Sequence, residues 1–312
     1  MNDFTRPLEA TISARAVAER IAAAAVVGNP DRPIRAIGAL SATGEGVLAF
    51  CDDTGAAALP RTGASVVIVA AGTPAAPRAD QTFITVEDVR AAFIDTVASL
   101  LPGTARPDDP CPGIAVGALV DESAHVSPLA AVAAGVIIGP RTRVGPGAVV
   151  YADTHIGAEC VIGPGTAIGW VGLAYHDARD GRRRFFPHLA GVRIGDRVDV
   201  GAQACICRGM LSHTRIGDDV KIGSLVYVSH GVSVEARAWL SAGTAIAGHA
   251  TIAADGVLGI GSIVVDNVAL EAGVRVGGGS VVTKDAAAGQ SLYGVPAHPV
   301  PVMARFGPTP RD

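Results

Sequence analysis

His230, in the segment VSHGVS, and Gly248, in IAGHAT, stand eighteen residues apart. An imidazole can take a proton from a nucleophile, and a backbone N–H left bare by a glycine can donate to an oxyanion. These are the two groups that acyl transfer needs. General-base assistance is typically worth about 10²–10⁴ in rate, and one oxyanion donor about 3–4 kcal/mol. His249 follows Gly248 directly, either as a wall residue in water or as a contact to acceptor or donor. The pairing means something only if the chain stacks on itself every eighteen residues.

A run of aliphatic residues supplies that stacking. From Ile216 through Ile222, Val228 and Val234 to Val276 and Val282, every sixth position is Ile, Val or Leu without a miss. The same register runs upstream from Ile114 to Ile168 and resumes at Ile194, Val200 and Ile206, broken only at Gly169–Arg193 and Cys207–Arg215. A period of six belongs neither to a helix near 3.6 nor to a strand alternating by two; it marks a hexapeptide β-helix. Three short strands per turn make an eighteen-residue coil, so the hexads predict about eight coils stacked roughly 4.8 Å apart. Glycine often follows the aliphatic residue, as at Gly139, Gly145, Gly217 and Gly223, where positive φ or close backbone approach is expected.

The remaining segments divide accordingly. Residues 1–106 carry no hexad and read as a small α/β domain: a helix over Ala14–Ala25, strands at Gly46–Cys51, Ala64–Ala70 and TFITV, and a second helix over Val86–Leu101. A Pro- and Gly-rich linker spans 107–113, the β-helix 114–290 and a loose tail 291–312. Insertions into a solenoid gather at corners and often form its binding face. The first interruption carries Arg182, Arg183 and Arg184, which suit a donor's phosphates, with Phe185 and Phe186, which need cover. His188, in the same stretch, is taken as a substrate contact.

Aromatic residues make up 4% of the chain, so the core is aliphatic, and the net charge of −4 with scattered basic residues argues against a nucleic-acid partner. No charged-then-apolar leader opens the sequence and no apolar run spans a membrane, so a cytoplasmic protein is expected. The five cysteines lack CxxC spacing and read as reduced thiols, with no metal site expected.

The hexads, the position of both interruptions, Arg208–Gly209 in CRGMLSHTRIG, the VSHGV segment and the TKD…GVPAHP ending together resemble UDP-3-O-acylglucosamine N-acyltransferases. GALSATGEGVLAFCDD followed by ASVVIVA is similar to that family's uridine-binding domain, so the resemblance covers residues 10–300. It implies a mainly β protein, a left-handed parallel β-helix with a small N-terminal α/β domain, assembled as a homotrimer with sites between subunits. It also implies His230 as catalytic base, Gly248 as oxyanion amide and Phe50 as the ring stacked on uracil. The acyl donor would be acyl carrier protein or coenzyme A as co-substrate, with no bound cofactor.

The departures carry information too. Asn267 stands where the family has a second histidine, and Asp53 and Ala56 stand where its uracil pocket has Asn and Tyr. The family's C-terminal helical arm, which helps engage acyl carrier protein, is represented by ARFGPTPRD. A sibling enzyme acylating a different nucleotide-linked amino sugar fits these changes. An acetyl-coenzyme A-dependent O- or N-acetyltransferase and a non-catalytic nucleotide-sugar-binding trimer stand as alternatives.

Overall fold

In the computed structural model, which describes residues 4–104 and 106–300, the chain forms two compact units. One comprises residues 1–106 with 173–190 and 210–212; the other comprises 107–172, 191–209 and 213–312. Among the described residues no helix is long and apolar enough to cross a membrane.

The first unit is a six-stranded sheet flanked by helices, with strands β1 (Thr5–Ser13), β2 (Ala25–Gly28), β3 (Pro33–Gly38), β4 (Thr43–Cys51), β5 (Gly63–Ala70) and β6 (Thr82–Val86). The sheet order is β1-β3-β4-β5-β6-β2; β3 to β6 run parallel and the two edge strands antiparallel. Helix α1 (Ala14–Arg20) is shorter than the sequence suggests. Its start is fixed by Ser13, whose hydroxyl accepts the Ala16 N–H, and Ala22 at φ 48° turns the chain into β2. Helix α2 (Val89–Leu100) begins three residues after the end of β6, where Asp88 caps it by accepting the Ala91 N–H.

The interruption at 173–190 belongs to this unit, which sequence spacing did not reveal. Tyr175–Asp177 pairs with Arg183–Phe185 as an antiparallel hairpin. His176 Nε2 meets Asp88 Oδ1 at 2.7 Å, and Asp88 Oδ2 accepts the Arg179 N–H at 3.1 Å, so one carboxylate caps α2 and anchors the hairpin. Burial alone would raise the Asp88 pKa, but the bonds from Ala91, Arg179 and His176 hold it below the usual range. Phe186 finds its cover here, stacked on Phe93 at 5.7 Å in a core shared with Ile34, Leu48 and Ile68.

The second unit is the prism. Its three parallel walls have nine, eight and ten strands. The first wall runs through Val132, Val150, Ile168, Ile206, Val228, Ile246 and Val264, the second through Ile138, Ile156, Ile194, Ile216, Val234 and Ile252, and the third through Val144, Ile162, Val200, Ile222, Leu240 and Leu258. From Val132 onward these side chains are buried, each contributing about 1.5–3 kcal/mol, whereas Ile114 in the opening coil is 51% exposed. A hairpin of Ser291–Tyr293 with His298–Val300 extends the third wall where a loose tail was expected; residues 301–312, with most of that tail, lie outside the described residues.

Two glycine roles separate in the structure. The glycine after the aliphatic residue is needed for close approach: a Cβ at Gly163 would stand 2.7 Å from the Ala202 nitrogen of the next coil. Positive φ falls two residues later, three residues after the aliphatic position, where Arg237 (60°), His249 (59°), Asp255 (62°) and Asn267 (61°) all adopt it.

Candidate active site

Both interruptions leave the prism at the edge where the first wall turns into the second, and His230 stands on that same edge. The strand Tyr227–Val228 ends one wall and Ser233–Val234 begins the next, with His230 and Gly231 at the turn. One coil on stand Gly248 and His249, and one further Asp266 and Asn267. The His249 N–H donates to the His230 carbonyl at 3.0 Å, and the Asn267 N–H to that of Gly248 at 2.9 Å.

The two histidines lie edge to face, ring centroids 5.0 Å apart at 66°. Each rests on a glycine of the neighbouring coil. A Cβ at Gly248 would stand 2.5 Å from His230 Cε1, and a Cβ at Gly231 would stand 2.5 Å from His249 Nδ1. The missing side chains are therefore the space the imidazoles occupy, and Gly231 also carries φ 68°.

His230 is 8% exposed. Burial pushes its pKa down to about 4, assisted by the charge of His249 and opposed by Asp266. His249 is displaced the same way by desolvation, against the pull of Asp266. Both imidazoles are thus neutral near pH 7. The Gly248 N–H, expected to be bare, donates to Asp266 Oδ1 at 2.8 Å. A ligand oxygen reaches that amide only if the exposed Asp266 carboxylate turns away. Asp266 and Gly231 escaped the sequence reading, although the eighteen-residue step from Gly248 and from His249 points to each.

The other candidates lie apart from this edge in the sequence and in kind. Phe50 is half-buried, its ring 4.6 Å from Phe93 and 5.7 Å from Phe186. The Asp53 side chain lies outside the described residues. A cavity of about 190 Å³ opens at the carboxyl ends of β4 and β5, lined by Cys51, Asp52, Leu59 and the turn from Ala70 to Pro74. That is where open parallel sheets take ligands. Asp52 is paired there with Arg90 at 2.7 Å.

Of the arginine run, Arg182 is exposed, Arg183 pairs with Asp177 at 2.7 Å, and Arg184 pairs with both Asp180 and Asp95. His188 corrects an expectation: it is fully buried, its Nδ1–H donating to the Phe186 carbonyl and its ring stacked under Phe185 at 5.2 Å. It supports the hairpin from inside and presents no face to a substrate. The five cysteines are free thiols, with Cys205 and Cys207 sulfurs 4.0 Å apart.

A prism of parallel hexads with short insertions at one edge defines the class, the left-handed β-helix of hexapeptide-repeat proteins. Residues 135–169 match the bacterial transferase hexapeptide (six repeats) model, and 213–247 match the hexapeptide repeat of succinyl-transferase. Among solved structures, a UDP-N-acetylglucosamine acyltransferase from Campylobacter jejuni aligns with a TM-score of 0.51 at 22% identity, over 60% of this chain and 74% of that one, which shows the fold.

More particularly, the chain is similar to curated UDP-3-O-acylglucosamine N-acyltransferases, so the resemblance drawn from the sequence holds. That of Albidiferax ferrireducens is 41% identical over 96 residues, 31% of this chain and 29% of that protein. A probable mitochondrial one from Arabidopsis thaliana is 34% identical over 135 residues, 43% and 44% of the two chains. The matched region spans less than half the length of these relatives.

Proposed function

We propose that the protein is an acyltransferase that moves an acyl group from a thioester, on acyl carrier protein or coenzyme A, to the amine of a nucleotide-linked amino sugar. The observation that carries this reading is the neutral His230 imidazole, held in one orientation over Gly248 on the edge where the insertions emerge. Similarity to proteins named for this chemistry supports it.

In the reaction the sugar nitrogen attacks the thioester carbonyl while His230 accepts its proton, so a C–N bond forms and the carbonyl oxygen becomes an oxyanion. The Gly248 N–H, released by Asp266, donates to that oxyanion. Collapse breaks the C–S bond, and the departing thiolate takes the proton back from the imidazolium as the thiol. The protonation state of His230 is restored, and the step draws on no metal or bound cofactor.

His249, edge to face with His230, helps enclose that imidazole, and Asn267, exposed at the same edge, is a hydrogen-bonding contact for the sugar. The α/β unit would hold the nucleotide, with Phe50 and Asp53 toward the base, and Arg182 would meet donor phosphate. Assembly as a homotrimer follows the resemblance. The Asp266 bond to Gly248 favours one other reading, a trimer that binds nucleotide sugars without turning them over.

The test is acyl transfer by wild-type and His230→Ala protein across a panel of UDP- and dTDP-amino sugars with acetyl and longer thioesters. Transfer that collapses in a folded variant supports the base assignment. Near wild-type transfer by His230→Ala refutes it, and sugar binding without turnover by wild-type protein supports the non-catalytic reading.

A further inference from the structure

On the second wall, successive coils set His155, Arg193 and Arg215 side by side in parallel register, and Ser233 continues the row. Their neighbours Ile156, Ile194, Ile216 and Val234 fill the interior, so by strand alternation this row faces outward. Rungs repeat about every 4.8 Å, and like charges directly opposite each other on a sheet repel. Nothing in the aliphatic core requires two stacked guanidiniums. A groove of about 460 Å³ runs along this face, lined by Arg193, Arg215, Ser233 and Glu235 with the adjoining backbone.

The donors are prepared. Arg193 is half-buried and its Nη1 donates to the Asp153 carbonyl at 2.6 Å and the Val192 carbonyl at 2.9 Å, which fixes the guanidinium plane. Arg215 is exposed and has no ion-pair partner among the described residues. His213 lies within reach of the charge of both arginines. Its Nδ1 accepts the Gly191 N–H at 3.1 Å.

The nearby carboxylates are engaged: Asp153 pairs with Arg208 at 3.1 Å, and Glu235 accepts the Ala254 N–H at 3.2 Å. The groove lining thus carries the guanidiniums of Arg193 and Arg215 and the carboxylate of Glu235, with Asp196 and Asp218 following the lining glycines Gly195 and Gly217 at its margin. Planar guanidinium forks match phosphate oxygens two at a time, which no neutral ligand would exploit. Ser233 is three residues from His230, so their Cα atoms lie within about 10 Å along the chain.

We propose that this groove is a phosphate-binding subsite that takes a phosphate or diphosphate group of a co-substrate. The binding claim is independent of the acyl-transfer reading; the link between the bound phosphate and a reacting end at His230 rests on it. Two sources share the chemistry, the diphosphate of a nucleotide sugar and the phosphates of coenzyme A or a phosphopantetheine arm.

Calorimetric titration separates them, with UDP, coenzyme A and inorganic pyrophosphate as probes and uridine and pantetheine as phosphate-free controls. The variants are Arg215→Ala and Arg215→Glu, whose folding is checked by thermal melting. Pyrophosphate is expected to bind wild-type protein and to bind Arg215→Glu at least tenfold more weakly, with the phosphate-free controls unchanged. A parallel loss for UDP assigns the subsite to the nucleotide, and one for coenzyme A assigns it to the donor.

Unchanged affinity of all three phosphates for Arg215→Glu overturns the proposal, as does failure of all three to bind wild-type protein at millimolar concentration. Loss of phosphate binding in a protein that turns over no thioester leaves the subsite standing and removes the acyl-transfer reading. Turnover that depends on His230 while phosphate binding ignores Arg215 does the reverse.

Discussion

Two edges of the prism share one backbone device and dress it differently. Where the second wall turns into the third, the positive-φ position of successive coils holds Arg141, Glu159, Arg197, Asp219, Arg237 and Asp255, signs alternating. Arg197 pairs with Asp219 at 2.8 Å and Arg237 with Asp255 at 2.8 Å, while Arg141 pairs with Glu159. Where the first wall turns into the second, the same position holds Gly231, His249 and Asn267. The coil-to-coil bonds match: Arg237 N–H to Asp218 carbonyl at 2.9 Å on one edge, His249 N–H to His230 carbonyl at 3.0 Å on the other. Backbone geometry is therefore not what distinguishes the two edges. One edge neutralises its side chains in exposed pairs; the other uses two glycines to admit two neutral imidazoles.

The sharpest way to break this contrast is to cut one side chain from each edge. His230→Ala is expected to lower acyl transfer by about 10²–10⁴ with the fold retained, measured as kcat/KM beside a thermal melt. Arg237→Ala on the other edge is expected to leave kcat/KM unchanged and to cost no more than ~1 kcal/mol of stability, as exposed ion pairs do. If the two variants lose activity equally, the edges do not differ in function.

Gly248→Ala tests the glycine seat. Its Cβ would meet His230 Cε1 at 2.5 Å, so the imidazole must shift. Misplacement by about 1 Å is expected to cost on the order of 10² in kcat/KM. Asp266→Ala frees the Gly248 amide and removes the charge that supports protonation of both histidines. It should lower the His230 pKa further, as read by NMR titration.

The pH dependence follows from burial. A histidine titrating near 6.5 when unfolded and at about 4 when folded binds its proton first in the unfolded chain. Its contribution to stability is thus complete above pH 6.5 and is lost as pH falls through about 4; half-buried His213 acts in the same sense. The acid limb of kcat/KM should accordingly sit below the ordinary histidine range. A limb near 6.5 would mean that His230 is solvated in solution. The smallest effect is expected for His249→Ala, which removes a neighbouring charge and should move that limb slightly upward.

How much of this the sequence disclosed depends on whether the information was periodic. The aliphatic hexad is one, and it yielded the prism, its coil length and the stacking of His230 on Gly248. The positive-φ place escaped notice because Gly, Arg, Asp, His, Asn and Leu all occupy it, so no residue type marks it. The fate of the first interruption was hidden for another reason: Phe186 is covered by Phe93 and His176 is held by Asp88, and such non-local contacts leave no trace in spacing. Asp266 is legible from the same periodicity, since it stands one coil beyond Gly248.

The eighteen-residue coil also acts as a ruler for insertions and deletions. A whole extra turn lengthens the column by about 4.8 Å and leaves every face where it was. A single extra hexad between Val234 and Ala242 keeps the greasy interior in phase but swings everything after it a third of a turn, bringing Ala242 to the seat of Gly248. The added methyl would then evict the imidazole from a fold that is otherwise intact, so a lineage can lose this chemistry by a length change that its hydrophobic pattern never registers.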